Sequence, residues 1–410
     1  MKHLTTTALS LTLALAATAA FAECGIGAGS VRILSNDFEA LHAVIDAAKT
    51  CEGGGVTVVS NATTEHAELQ GPGMSGNPAE YTVKILANDS IVPLLNEGLL
   101  RPLDDLVAKY GQDLESTQLI KIDGKVMAIA FMANAQHLTY RADLLKEAGI
   151  EPPMTYEDVL AAGEALKAKG ILETPLGANN KSGWDLAEEF VNMYLGYGGE
   201  FFAPGSAELS LDPTKAAAAL GMMKSLSALM PADNNTFDTN VLSALYQQSK
   251  VGIMNMWGSR AGALIGADAL PEVAANTVFA AAPTVGGGTI PATTLWWDGF
   301  SIAQNISDED AEASFRAMIY GIRPEVATSN PDAAAWLIKG FQPGPASVGV
   351  IASARGGAIP YPMVPQMGVL HTALGSELSD FMSGKESVEQ ALADVKASYE
   401  SAAREQGFLQ

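Results

Sequence analysis

Residues 31–59, VRILSNDFEALHAVIDAAKTCEGGGVTVV, carry two strands with a helix between them. VRIL (31–34) and VTVV (56–59) are short β-branched and apolar runs, and from about Glu39 to Lys49 the apolar positions recur at helical spacing. YTVKIL (81–86) repeats the strand signal, and IVPLLNEGLL (91–100) and PLDDLVAKYG (102–111) are helical in pattern with a glycine at or near the end. Short apolar strands alternating with helices predict an α/β fold built on a mostly parallel sheet covered on both faces. Ligands of such sheets bind beyond the carboxyl ends of the strands. Asn36 and Asp37 after the first strand, and Asn88 and Asp89 after YTVKIL, are placed for that task.

The rest of the chain sets the class. Its 410 residues suggest two or three domains, and a hydrophobic fraction of 48% supplies a substantial core. A formal charge of −22 repels polyanions, and no basic run offsets it, which excludes a nucleic-acid binder. Residues 1–22 have the form of a secretory signal peptide: Lys2 and His3, an apolar or small-residue run over 4–18, then Ala20-Phe21-Ala22 with cleavage expected after Ala22. An exported, periplasmic protein follows from that reading. In an oxidising compartment Cys24 and Cys51, at the same end of a strand and a returning helix, are expected to form a structural disulfide. A redox pair or metal site is the alternative, but there is no CxxC, and His42, His66, His137 and His371 are scattered.

The middle and end of the chain are clearly punctuated. Thr155 and Asp158 bracket a helix start, Asp212-Pro213 begins another, VGIMNM (251–256) reads as a buried strand, and Ser387 with Gln390 makes a capping box. Catalytic templates are missing: no GxSxG, HExxH, Walker A or GxGxxG stands in the right context. Asp104-Asp105 and Glu188-Glu189 are adjacent carboxylates that do not face one site, and both are expected on solvated helix faces. A glycosidase remains open, since its two carboxylates can lie far apart in sequence.

What stands out is aromatic and polar. Trp184-Asp185, Trp257-Gly258-Ser259-Arg260 and Trp296-Trp297-Asp298 set indoles beside polar groups, whereas Trp336 lacks such a setting. An indole face suits the C–H face of a sugar ring and equally a cation, while Asp or Asn bonds hydroxyls. A single tryptophan also fits a core, but three such pairings favour a ligand site.

In order and content these segments resemble the family 1 extracellular solute-binding proteins, the periplasmic receptors of ABC importers. LLNEGLLRPLDDL (94–106), GKVMAIAFMANAQHLTYRADLLKEAGIEPPMTYEDVLAAGEAL (124–166), YGGEFF (197–202), KVGIMNMWGS (250–259), WWDGFSIAQN (296–305) and MSGKESVEQALADV (382–395) carry the resemblance in sequence. It implies a type II periplasmic-binding-protein fold with a three-segment hinge and crossovers near residues 131, 295 and 330. One lobe would hold 23–131 plus 295–330, the other 132–294 plus 331–410, with ligand in the cleft between them. The family's contacts map onto Asn36, Asp37, Asn88, Asp89, Asn134, Trp184, Asp185, Trp257, Trp297, Asp298 and the 359–371 segment, which includes Tyr361 and His371.

Two departures stand out. His371 takes the place of a stacking aromatic of maltodextrin-binding members, which argues against long oligosaccharides; it fits a satisfied helix histidine as well as a ligand contact. Residues 62–80 look looser than the helix the family carries there. The expectation is a cofactor-free monomer that binds a monosaccharide, disaccharide or polyol and passes it to a membrane permease. A cationic solute such as a polyamine or quaternary amine is the alternative, and an exported carbohydrate hydrolase a more distant one. Only Arg260 and Arg355 look available for an anion.

Overall fold

A computed structural model describes residues 24–410. The expected leader and its cleavage point lie outside the described residues. The chain forms two compact units: unit 1 holds 24–132, 297–331 and 336–342, and unit 2 holds 133–296, 332–335 and 343–410. In chain order the strands are β1 (Gly29–Ser35), β2 (Val56–Ala62), β3 (Val83–Ala87), β4 (Leu119–Ile122), β5 (Lys125–Asn134) and β6 (Gln136–Arg141). They continue as β7 (Leu176–Gly177), β8 (Ile253–Trp257), β9 (Thr277–Ala280), β10 (Thr294–Ile302), β11 (Ala335–Trp336) and β12 (Ile359–Pro360). The helices used below are α1 (Glu39–Lys49), α2 (His66–Ser75), α3 (Tyr156–Ala168), α4 (Trp184–Gly196), α5 (Asp308–Gly321) and α6 (Pro365–Met382). Among the described residues no helix is long and apolar enough to cross a membrane.

In unit 1 the sheet runs β11-β5-β10-β3-β1-β2, with β4 on β5. β2 and β3 flank β1 in parallel, and β10 runs antiparallel to β3. The parallel character expected of the sheet is thus concentrated in the first three strands. Val31, Ile33 and Leu34 of β1 have no exposed surface, as befits a central strand covered on both faces. α1 buries Ala40, Leu41, Val44, Ile45 and Ala48, one stripe of a 3.6-residue period. Cys24 and Cys51 are disulfide-bonded, with Cα atoms 5.7 Å apart.

Residues 62–80 hold a helix after all. α2 forms despite Pro72 in its second half, because Met74 is fully buried in an apolar cluster with Leu86, Ile91 and Leu94. Tertiary packing here overrides weak local propensity.

Unit 2 has a four-stranded sheet, β7-β8-β6-β9. β6 is antiparallel to β8 and β9, whereas β7 is parallel to β8. β12 lies parallel to the first residues of β10, with Thr294 opposite Ile359. The caps read from sequence organise its helices. Thr155 Oγ1 accepts from the Asp158 amide at 3.0 Å and Asp158 Oδ2 accepts from the Thr155 amide at 3.0 Å, closing the box at the start of α3. Asp212 Oδ1 accepts from the amides of Thr214 and Lys215. Ser387 caps the last helix, but the Gln390 side chain bonds Asp394 rather than completing a box.

Candidate functional site

The aromatic part of the site belongs to unit 2. α4 starts at Trp184 after Gly183, whose φ of 103° is a conformation only glycine adopts readily. The chain there presses against α6: a Cβ on Gly375 would lie 2.4 Å from the Gly183 carbonyl oxygen. This contact fixes where the Trp184 ring emerges. Its centroid lies 6.2 Å from that of Trp257, 5.7 Å from Trp296 and 4.9 Å from His371. Trp296 in turn meets Trp257 edge-on at 5.8 Å and Tyr361 at 4.3 Å. Trp296, Tyr361 and His371 are buried, but Trp184 keeps 43% of its surface exposed. The result is an aromatic cluster, or platform, with Trp184 exposed and Trp257 partly buried.

His371 has a defined state. Its Nε2 donates to the Trp184 carbonyl oxygen at 3.0 Å, leaving Nδ1 to accept from the Tyr361 hydroxyl at 2.9 Å. Burial holds it down to about pKa 4, so the ring is neutral at pH 7. Both nitrogens are used by the protein, and His371 braces Trp184 and Tyr361 from below.

Beneath the platform lies a pair that sequence reasoning placed in solvent. Glu188 has no exposed surface and Glu189 only 6%, because every residue of α4 from Leu186 to Gly196 is buried. Glu188 Oε1 accepts from the Thr294 hydroxyl and from the Trp296 indole N–H at 3.2 Å, and Trp296 also donates to Thr294 Oγ1 at 2.8 Å. The Thr294 amide donates to Asn192 Oδ1 at 2.7 Å. Glu189 accepts from the Asn179 amide at 3.2 Å, and burial pushes its carboxyl up to about pKa 8. It lines a cavity of about 30 Å³ together with Asn180, Asn255 and Tyr156, large enough to hold water.

Other expected residues of unit 2 sit near these. Asn134 ties its segment to the end of β8: its Oδ1 accepts from the Ser259 amide at 3.1 Å and its Nδ2 donates to Ser259 Oγ at 3.2 Å. Asp185, next to Trp184, has its carboxyl pushed up to about pKa 6 by burial and by the charge of Asp238, against the pull of Lys181.

Unit 1 gathers the ionisable part. Beyond β1, Asp37 Oδ1 meets His42 Nε2 at 2.6 Å and the Asp37 amide donates to Asn36 Oδ1 at 2.7 Å. Beyond β3, buried Asn88 accepts from the Trp297 amide at 2.9 Å. Asp298 of β10 stands opposite Ala87 of β3, beside the turn that carries Asp89. Lys84 of β3 has no exposed surface and donates to His66 Nδ1 at 2.7 Å. Burial lowers Lys84 to about pKa 7 although the charges of Asp89 and Asp298 resist it. Burial and the Asp89 charge push Asp298 up to about pKa 7, and burial raises Asp89 as well. Burial and the neighbouring Lys84 drop His66 to about pKa 3. Among the described residues no three His, Cys, Asp or Glu side chains are grouped to hold a metal ion.

The expected residues therefore separate into an aromatic set in unit 2 and a carboxylate and amide set in unit 1. Trp297 belongs to the second: it packs against the cluster around Leu86 and Ile91, and its indole N–H is buried without a hydrogen-bond partner. Its neighbour Trp296, absent from the expected contacts, is the one that joins the platform. Alternation along β10 sends adjacent side chains to opposite faces, and sequence alone does not say which indole goes where. Lys84 was also missed, although a lysine inside the apolar run YTVKIL is the kind of signal that marks a buried charge.

The sequence matches the bacterial extracellular solute-binding proteins over residues 34–320. No protein of curated function matches it. Among solved structures it is similar to an ABC transporter solute-binding protein of Agrobacterium radiobacter in complex with ribitol, at TM-score 0.79 and 17% identity over 91% of this chain and 98% of that one. Maltose-bound MalE3 of T. maritima gives TM-score 0.78 and 16% identity over 92% and 100%. A solute-binding protein of Agrobacterium vitis with bound D-mannitol gives 0.74 and 19% over 93% and 99%. A family match across most of the chain, on an α/β fold with mixed sheets, places this protein among the bacterial extracellular solute-binding proteins.

Proposed function

We propose that the protein captures a small neutral polyhydroxylated solute, a monosaccharide, disaccharide or polyol, and delivers it to the permease of an ABC importer. The observation that carries this reading is Trp184, 43% exposed and packed beside Trp257, Trp296 and His371. An indole held this way offers a flat apolar face to the C–H groups of a sugar or polyol at little entropic cost. Asp185 beside it would bond hydroxyls. Ribitol, D-mannitol and maltose in the structural relatives support the same class. The chain would act by binding alone, in the periplasm after removal of residues 1–22, and its two units would serve as the two lobes of a receptor.

The test is a thermal-shift screen of the protein lacking residues 1–22 against sugars, polyols, polyamines and betaines, with each compound also checked for turnover. A ligand at a hundred times its Kd stabilises the fold by about 2.7 kcal/mol. The expected result is a shift with a sugar or polyol that Trp184→Ala reduces at least tenfold in affinity. Shifts with cations alone, or turnover of a carbohydrate, would overturn the reading.

A further inference from the structure

His371 sits inside unit 2 with 4% of its surface exposed, and both ring nitrogens are bonded within the protein. A solute lying on Trp184 finds no unused polar atom on this ring, so the histidine stands as a support with two ends. At one end Nε2 donates to the Trp184 carbonyl oxygen at 3.0 Å, and the imidazole lies against the Trp184 indole with centroids 4.9 Å and planes 34° apart. At the other end Nδ1 accepts from the Tyr361 hydroxyl at 2.9 Å. Tyr361 is itself anchored: its amide donates to the Leu295 carbonyl oxygen at 3.0 Å, and its ring meets Trp296 at 4.3 Å. One turn along the same face of α6, the Gly375 carbonyl oxygen accepts from the Gly183 amide at 3.2 Å. α6 thus grips the start of α4 twice, by backbone at Gly375 and by a side chain at His371, and the side chain also reaches the indole.

We propose that His371 is a positioning residue of the solute site: without touching the solute, it ties Trp184 to the frame of Tyr361 and Trp296 and so sets how firmly the exposed indole holds a sugar or polyol. This rests on the solute-binding reading above and adds to it which residue prepares the indole. Trp184 keeps 43% of its surface exposed, so the packing that orients a core tryptophan is missing on its open side. An indole free to change rotamer would have to be ordered when a solute arrives, and that ordering subtracts from affinity. The bond to the Trp184 carbonyl fixes the backbone there, and the imidazole contact restrains the ring. Leucine at 371 fills similar space but removes both bonds. Glutamine carries an N–H donor and a carbonyl acceptor on one planar group, so it can serve Trp184 and Tyr361 in turn.

The experiment compares the wild type with His371→Leu, His371→Gln and Tyr361→Phe, the last a smaller change that carries the test if the leucine variant fails to fold. The probes are ribitol, D-mannitol and maltose, with binding read by calorimetry. Fluorine NMR of protein labelled with fluorotryptophan gives a ligand-free readout, the Trp184 line being assigned by its loss in Trp184→Phe. The expected result is a loss of about tenfold in affinity in His371→Leu, most of it recovered in His371→Gln, and a loss of about threefold in Tyr361→Phe. The Trp184 line should shift or broaden in the leucine and phenylalanine variants while the Trp336 line, from unit 1, stays in place. Added to Trp184→Ala, His371→Leu should cost no further affinity, because the histidine acts through the indole. Unchanged affinity in the folded variants, the same loss on top of Trp184→Ala, or an unmoved Trp184 line would overturn the proposal. If no probe binds the wild type, the solute reading falls separately, and the Trp184 line alone decides whether His371 positions the indole.

Discussion

Unit 1 and unit 2 handle buried polarity in opposite ways. Unit 1 buries Lys84 against His66, where the charges of Asp89 and Asp298 oppose the lowering of the lysine by burial. Unit 2 buries Glu188 and Glu189 inside a helix, and threads Glu188 through Thr294 and Trp296 to hold an aromatic platform. The first arrangement is electrostatic and tunable by single charges. The second is a packed hydrogen-bond network, intolerant of any missing member.

The largest effect should come from removing the centre of that network. Trp296→Ala deletes a ring in contact with Trp184, Trp257 and Tyr361 and leaves Glu188 without its indole donor. A loss of about 3–5 kcal/mol is expected in chemical denaturation; a loss below 1 kcal/mol would show that the platform is not a cooperative unit. Next comes the cross-link of unit 1. Replacing Cys24 and Cys51 together by serine opens a loop with a sequence separation of 27 and should cost about 3.5 kcal/mol on the chain-entropy model, measured by denaturant midpoint.

The third prediction concerns pH. Glu189 has a folded-state pKa raised to about 8, so it favours the fold fully below its unfolded value near 4.5 and loses that advantage as pH rises toward 8. Glu189→Gln keeps the shape without the titration. Its stability relative to wild type should climb between pH 5 and pH 8, by on the order of 3–4 kcal/mol. A flat difference across that range would mean that Glu189 is ionised and served by its amide neighbours, which would erase the contrast between the units.

How far the sequence could be read follows the same divide. Local signals were sound: α1 spans Glu39–Lys49, Thr155 and Asp212 cap as their spacing suggested, and the disulfide joins Cys24 to Cys51. These depend on residues near one another in the chain. The failures are all tertiary. Glu188 and Glu189 looked solvated because adjacent charges on a helix usually are, but α4 is buried all round from Leu186 to Gly196. The helix over His66–Ser75 was obscured by glycines and Pro72, and packing of Met74 supplied what local propensity did not. Trp296 and Trp297 differ in role only through strand alternation, which fixes that they diverge and leaves their destinations to the fold.

The platform also makes the protein a carrier of its own optical probe. Three indoles with centroids 5.7–6.2 Å apart are close enough for their strong transitions to couple, so the circular dichroism of those transitions depends on their mutual angles. Trp297 and Trp336 lie in unit 1, apart from that trio in the chain's own division. A solute settling on Trp184 would change the coupled band, and events confined to unit 1 would register through the other two, with no label attached to either.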